Sequence, residues 1–254
     1  MKKYLLLFST VLILVSCASE KKFVKNPVDI MIRDMNTVPE FSIILYDMEV
    51  EGNYSKVYRH QYQVISELSD ELKTETTEWQ EVPKDFFAFH ENNMGMEIAS
   101  KDSTGKVSKS VSPAGYSNYI GNEKYGQWRQ RDGGSFWEFY GKYAMLSSVF
   151  HMMTYPARYS HWNDYRSNYR GYGRSYYGPN VNGRSTYGTY SNYNSKTRSN
   201  SSYTNSSSFK NRVNSKVQRS GSSAGKSSAN QKRTRSSNRY TSSSRSRSSS
   251  RGGK

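Results

Sequence analysis

The chain has 254 residues, a net charge of +16 and a mean hydropathy of −0.90, with one cysteine. A single thiol excludes an internal disulfide scaffold and a cysteine-built metal cluster, so any fold must rest on a packed core. The charge is also unevenly spread: residues 17–156 carry 15 Lys/Arg against 20 Asp/Glu, whereas residues 157–254 carry 20 Lys/Arg against the single acid Asp164. Such asymmetry marks an ordinary domain followed by an interaction tail.

Met1-Lys2-Lys3 precedes "YLLLFSTVLILV", an uncharged run from Tyr4 to Val15. A basic start, a short apolar stretch and small residues at its end read as a secretory signal over residues 1–16, too short for comfortable spanning of a bilayer. Leu14-Val15-Ser16-Cys17 resembles the bacterial lipobox, with Leu at −3, a small residue at −1 and Cys at +1. The resemblance implies cleavage before Cys17 and acylation of its thiol and new amino group, with palmitate among the chains. Two or three acyl chains anchor stably, where one binds only marginally. An ordinary signal peptide cut after Ala18 is the alternative. Residues 17–22 then form a lipid-anchored N-terminus.

Residues 23–112 carry the strand patterns of a small β-rich or α+β domain, near the lower size for one core. In "FSIILYDMEVEGNYSKVYRHQYQVIS", Ile44, Tyr46, Met48 and Val50 alternate with Ile43, Leu45, Asp47 and Glu49. Past Gly52-Asn53, Tyr58, Tyr62 and Val64 alternate with Arg59, Gln61 and Gln63, which predicts a β-hairpin. A second hairpin is expected in "NMGMEIASKDSTGKVSKSV", turning at Asp102-Ser103-Thr104-Gly105. Residues 64–73 suit either a short helix or a continuing strand, and "WQEVPKDFFAF" adds bulky core residues interrupted by Pro83.

The aromatic segment 113–156 predicts a helix over about 135–154. Ser135-Phe136-Trp137-Glu138 matches a capping box, and Phe136, Phe139, Tyr140, Tyr143, Leu146, Val149, Phe150 and Met153 recur at helical spacing. Glu138 and Lys142 stand four apart, and Pro156 ends the run. That helix either packs on the sheet or lies in a membrane interface.

Residues 157–254 have low hydrophobicity and high net charge, which predicts a disordered tail with a reach of about 50–60 Å as a flexible coil. The heptads beginning at Gly173 and Gly183 repeat imperfectly, too few for a solenoid. Basic residues interleaved with tyrosines give the tail a polyanion-binding character. The candidates are Arg166, Arg170, Arg174, Arg184, Arg233, Arg235, Arg245, Arg247 and Arg251, with aromatic contacts from Tyr169, Tyr172, Tyr176 and Tyr177.

Catalytic patterns do not rise above background. His60, His90, His151 and His161 lack metal-ligand spacing, no nucleophile elbow occurs, and the "GYGRSYYG" glycines lack a strand–turn–helix context. The expectation is a non-enzyme with no metal, no cofactor and no catalytic residue. Its contacts are membrane lipid through Cys17 and, through the tail, anionic lipid, lipopolysaccharide or an envelope protein. The closing "SSSRSRSSSR" also resembles the Arg/Ser tails of splicing factors, but an exported chain does not meet nuclear RNA; an exported nucleic-acid binder is the alternative reading.

Taken together, the lipobox, "GGSFWEFYGKYAMLSSVF" and the Arg/Ser/Gly terminus resemble a family of uncharacterised proteobacterial envelope lipoproteins with a G-S-F-W segment and a low-complexity tail. The resemblance covers Cys17, residues 134–150 and the tail's composition. That family tends to be encoded beside ligases resembling glutathionylspermidine synthase, which implies envelope maintenance. The Tyr/Asn/Lys-rich usage looks more like Bacteroidota, where acidic residues after the cysteine direct surface export; "CASEKK" departs from that pattern, implying an outer-membrane anchor facing the periplasm.

Overall fold

A computed structural model describes residues 24–52, 55–68 and 71–205. The signal segment and Cys17 lie outside the described residues, as do residues 206–254. Helix α1 (Pro27–Asp34) opens the fold, its N-terminus capped by Asn26, whose side chain accepts from the Val28 amide at 3.0 Å. An antiparallel sheet follows, built from β1 (Glu40–Glu51), β2 (Val57–Leu68), β3 (Glu71–Thr76), β4 (Gln80–Glu81), β5 (Met96–Lys101), β6 (Val107–Ser108) and β7 (Ser112–Pro113). The order is β3-β2-β1-β5-β6, with β4 beside β2 and β7 beside β5.

Both expected hairpins are present. The first joins β1 to β2 past Gly52, whose φ of +88° suits a residue without a Cβ. The second joins β5 to β6, where the Asp102 carboxylate accepts from the Thr104 and Lys106 amides at 3.0 and 3.1 Å. Residues 64–68 end β2 and residues 71–73 begin β3, so the described part of this stretch is strand. Pro83 interrupts the next stretch at the N-terminus of α2 (Lys84–His90), a position where its missing amide costs no helical bond.

Central position explains why the β1 alternation does not translate into one buried face. Phe41, Ser42, Ile43, Ile44 and Leu45 are all fully buried, because β1 is paired on both sides and covered on both faces. A bulge between Leu45 and Asp47 then re-aims the outer half of the strand. On β2 the buried residues change from His60 and Tyr62 to Ile65 and Glu67, which lie on the opposite face. Rings of α2 cover His60; Lys124 and Tyr125 reach Glu67 on the other side.

The helix expected over 135–154 is corrected by the structure. Residues 126–139 form a further hairpin, β8 (Gly126–Arg131) with β9 (Gly134–Phe139), in which Trp128 opposes Trp137. Gly133 and Gly134 turn the chain with φ of +89° and +130°, values a capped helix start does not allow. Only a single 3₁₀ turn (Gly141–Tyr143) and the short α3 (Met145–Val149) keep helical form. Among the described residues no helix is long and apolar enough to cross a membrane.

A second correction concerns residues 157–205, expected as tail. They fold as α4 (Tyr159–Asn168), a 3₁₀ turn (Arg170–Tyr172), the small hairpin β10 (Asn180–Val181) with β11 (Arg184–Ser185), α5 (Asn192–Thr197) and α6 (Ser202–Asn205). This strap is held by buried Trp162, Tyr165, Tyr176, Tyr187, Tyr193 and Tyr203. Its backbone also joins the domain: the Tyr176 amide donates to Val111 O at 2.8 Å and the Thr189 amide to Asn92 O at 3.0 Å.

Candidate interaction surface

The tail residues expected to bind polyanions divide into three groups. Arg233, Arg235, Arg245, Arg247 and Arg251 lie outside the described residues. Arg166, Arg170 and Arg174 stand exposed at four-residue intervals along α4 and the turn after it, and Arg184 is exposed on the separate β10–β11 hairpin. The first three form one basic ridge. Trp162 and Tyr165 turn inward from α4, which leaves Arg166 outside with its guanidinium 5.1 Å from the Trp162 ring centre. Arg170 reaches Asp102 at 3.9 Å, and Arg174 lies 5.6 Å from the ring centre of Tyr172.

The expected aromatic contacts do not survive as a set. Tyr172 is 71% exposed and belongs to the ridge. Tyr176 is 2% exposed and packs 4.7 Å from Tyr169 and 5.8 Å from Tyr165, so it is a core residue. Tyr177 is half-buried and donates to Asn93 Oδ1 at 2.7 Å; Tyr169 is likewise half-buried. A phenol ring buries about 150–250 Å², enough to place these tyrosines in a core despite their polar hydroxyl.

Three buried polar clusters went unread in the sequence. Tyr125 Oη lies 2.8 Å from Glu40 Oε2 and 2.5 Å from Glu67 Oε2, while Lys124 pairs with Glu67. One hydroxyl proton cannot serve two carboxylates, so one acid must hold a proton itself. Burial raises the pKa of Glu40; burial opposes ionisation of Glu67 too, but Lys124 and Tyr125 outweigh it and hold its pKa low. The arrangement is therefore a relay: protonated Glu40 donates to Tyr125, and Tyr125 donates to the Glu67 carboxylate beside Lys124.

Glu97 is fully buried on β5, where burial pushes its pKa up. The Gly115 amide donates to it at 3.3 Å and the Ser112 hydroxyl lies at 3.5 Å. On the opposite side, His60 of β2 faces His90 at the end of α2, with ring centres 6.3 Å apart. Burial, helped by the neighbouring His90, lowers His60 to about 3; burial alone lowers His90 to about 4. His60 Nδ1 meets Tyr62 Oη at 3.1 Å and His90 Nδ1 meets the Asn93 amide at 2.9 Å. The long-range members of these clusters, Glu40 with Glu67 and Tyr125, Glu97 with Ser112 and Gly115, and His60 with His90, are separated in the chain and could not be found from spacing.

These clusters are closed by packing. A cavity walled by Ala114, Tyr116, Phe150, Tyr155, Tyr187 and Tyr193 leaves about 10 Å³ for the centre of a water-sized sphere, room for about one water. Among the described residues no three His, Cys, Asp or Glu side chains converge as metal ligands. No protein-family model, curated protein or solved structure matches the chain.

Proposed function

We propose that the chain is an interaction protein of a bacterial cell envelope, anchored by lipid at Cys17 on the outer membrane's periplasmic side. Its basic C-terminal segment holds anionic envelope components: anionic lipid, lipopolysaccharide or an acidic protein partner. The observation that carries the reading is the concentration of unbalanced positive charge in the C-terminal part of the sequence. Residues 157–205 are drawn onto the sheet and take 7 Lys/Arg with them, leaving 13 Lys/Arg and no Asp/Glu in residues 206–254. The Arg166–Arg174 ridge extends that charge onto the folded surface. Near an anionic bilayer each basic residue contributes on the order of 1 kcal/mol, so such a segment adds substantially to an acyl anchor.

The test uses the full chain and its variants. Radiolabelled palmitate should enter the wild type and not Cys17→Ala. Replacing the 13 basic residues of 206–254 by Gln should abolish retention on lipopolysaccharide and on phosphatidylglycerol vesicles at low salt. Equal retention by that variant would overturn the tail's role, and equal labelling would overturn the anchor. Duplex DNA added as competitor separates the nucleic-acid reading, whose affinity would fall with log salt by about 0.9 per phosphate contacted.

A further inference from the structure

We propose that the outward face of the β8–β9 hairpin is a second, structured contact, which docks on the phosphate groups of an anionic lipid surface through Arg129, Arg131 and Arg158. Register defines this face. Arg129 opposes Phe136 across the hairpin, and Phe136 is bridged in turn to Arg158, so the three stand in a row across three strand positions. Arg131 lies two residues beyond Arg129 and points the same way. The reverse face carries Trp128 and Trp137, with ring centres 5.0 Å apart, and α4 covers it: Tyr159 and Trp162 lie 5.1 and 5.4 Å from Trp128.

Two of the three guanidiniums on this face share one carboxylate. Arg129 and Arg131 stand 3.4 and 3.5 Å from the same oxygen of Glu138, with side chains 57% and 64% exposed. Arg158 lies 4.9 Å from the Phe136 ring centre and donates to Gly133 O at 3.0 Å. Asp132, in the turn, is the hairpin's other acid. Five donors on each guanidinium exceed what Glu138 accepts, so the face presents oriented forks to an incoming anion, the geometry suited to phosphate oxygens.

Shape selects the occupant. Arg158 covers the ring of Phe136, so no sugar or base can stack there as it would on an open aromatic. Tyr140, 41% exposed, continues the same side two residues beyond Glu138, its amide donating to Tyr125 O at 2.9 Å. A tyrosine beside arginines suits headgroup depth. The choice of lipid over a free polyphosphate rests on the anchor at Cys17; the face itself does not.

Three of the chain's 4 tryptophans, Trp128, Trp137 and Trp162, lie under this face, so their emission reports on it. The experiment mixes the full chain with phosphatidylcholine vesicles, with or without phosphatidylglycerol. Wild type should float with both through its anchor, but show an emission change only with phosphatidylglycerol. R129Q/R131Q and R158Q should still float with neutral vesicles and need about fivefold more anionic lipid per guanidinium removed. Neutralising the basic residues of 206–254 should leave the emission change intact. Failure to float with neutral vesicles would defeat the anchor reading; flotation with an arginine-independent emission change would defeat this inference. An equal emission change with soluble polyphosphate would overturn lipid as the source.

Discussion

His60 and His90 bring a pH dependence into the core. In the fold both stay neutral down to about pH 4, while in the unfolded chain both take up protons below about 6.5. The pair therefore favours the fold fully above pH 6.5, and stability falls as pH drops from there toward 4. The slope approaches about 1.4 kcal/mol per pH unit for each histidine. Raised pKa values at Glu40 and Glu97 act with the opposite sign, since the fold holds their protons more tightly than the unfolded chain does. His60→Phe keeps the ring against Phe86, Phe87 and Tyr62 but cannot be protonated. It should cost about 1 kcal/mol at pH 7.5 through the lost Tyr62 bond, and flatten the loss of stability between pH 6.5 and 4.5. Urea midpoints across that range give the answer. Tyr125→Phe should behave in the reverse manner. Without the hydroxyl, Glu67 loses a donor and Glu40 loses its acceptor, a deficit of about 2–3 kcal/mol at pH 7. The Tyr125 bond helps to hold the Glu67 pKa down, so its contribution is lost as Glu67 takes up a proton and the deficit should shrink at low pH. None of these groups was legible from sequence. A buried charge announces itself only when its partner is known: pairing of β1 with β2 sets Glu40 opposite Glu67, and Tyr125 reaches both from the loop before β8.

Hairpins were legible where alternation and turn chemistry agreed, as at Gly52 and at Asp102–Gly105. The β8–β9 hairpin carried the same signals in "GQWRQRDGGSFWEF", with an Asp-Gly turn between alternating residues. The competing helical spacing was a coincidence of abundant aromatics: Phe136 and Phe139 are three apart, yet they point to opposite faces of β9. What fixes the hairpin on the domain is its packing against α4, and that packing depends on glycine. Gly121 has φ of +79°, and a Cβ there would lie 2.1 Å from the Trp162 ring. Gly121→Ala therefore meets both backbone strain and a rigid indole, and should destabilise by more than about 3 kcal/mol. Its expected sign is a drop in the thermal midpoint with a red-shifted tryptophan emission in the native baseline. An unchanged midpoint would mean that α4 is not a structural part of the fold.

At the scale of the whole molecule, composition concealed that residues 157–205 belong to the domain. Hydropathy counts tyrosine as polar, so a strap whose apolar anchors are nearly all Tyr reads like the Ser/Arg-rich sequence that follows it. Its small polar residues carry the rest. Thr189 accepts from the Met94 amide at 2.9 Å and donates to Glu91 O at 2.6 Å, and Ser201 donates to Asp47 at 2.6 Å. Through such bonds residues 157–205 satisfy backbone groups of the sheet's own loops, which a tail would leave to water. Two truncations test this division. A chain ending at Asn205 should retain a cooperative transition within about 0.5 kcal/mol of the full chain, the range expected for changes remote from packed features. A chain ending at Pro156 uncovers Tyr116 and Met94, removes the partner of the Val111 carbonyl and opens the wall formed by Tyr187 and Tyr193. It should keep much of its far-UV signal while losing near-UV dichroism and binding an apolar dye, the behaviour of a collapsed chain without fixed packing. Cooperative unfolding of the shorter chain with an unchanged midpoint would return residues 157–205 to the tail; loss of cooperativity would make the strap the closing layer of the domain.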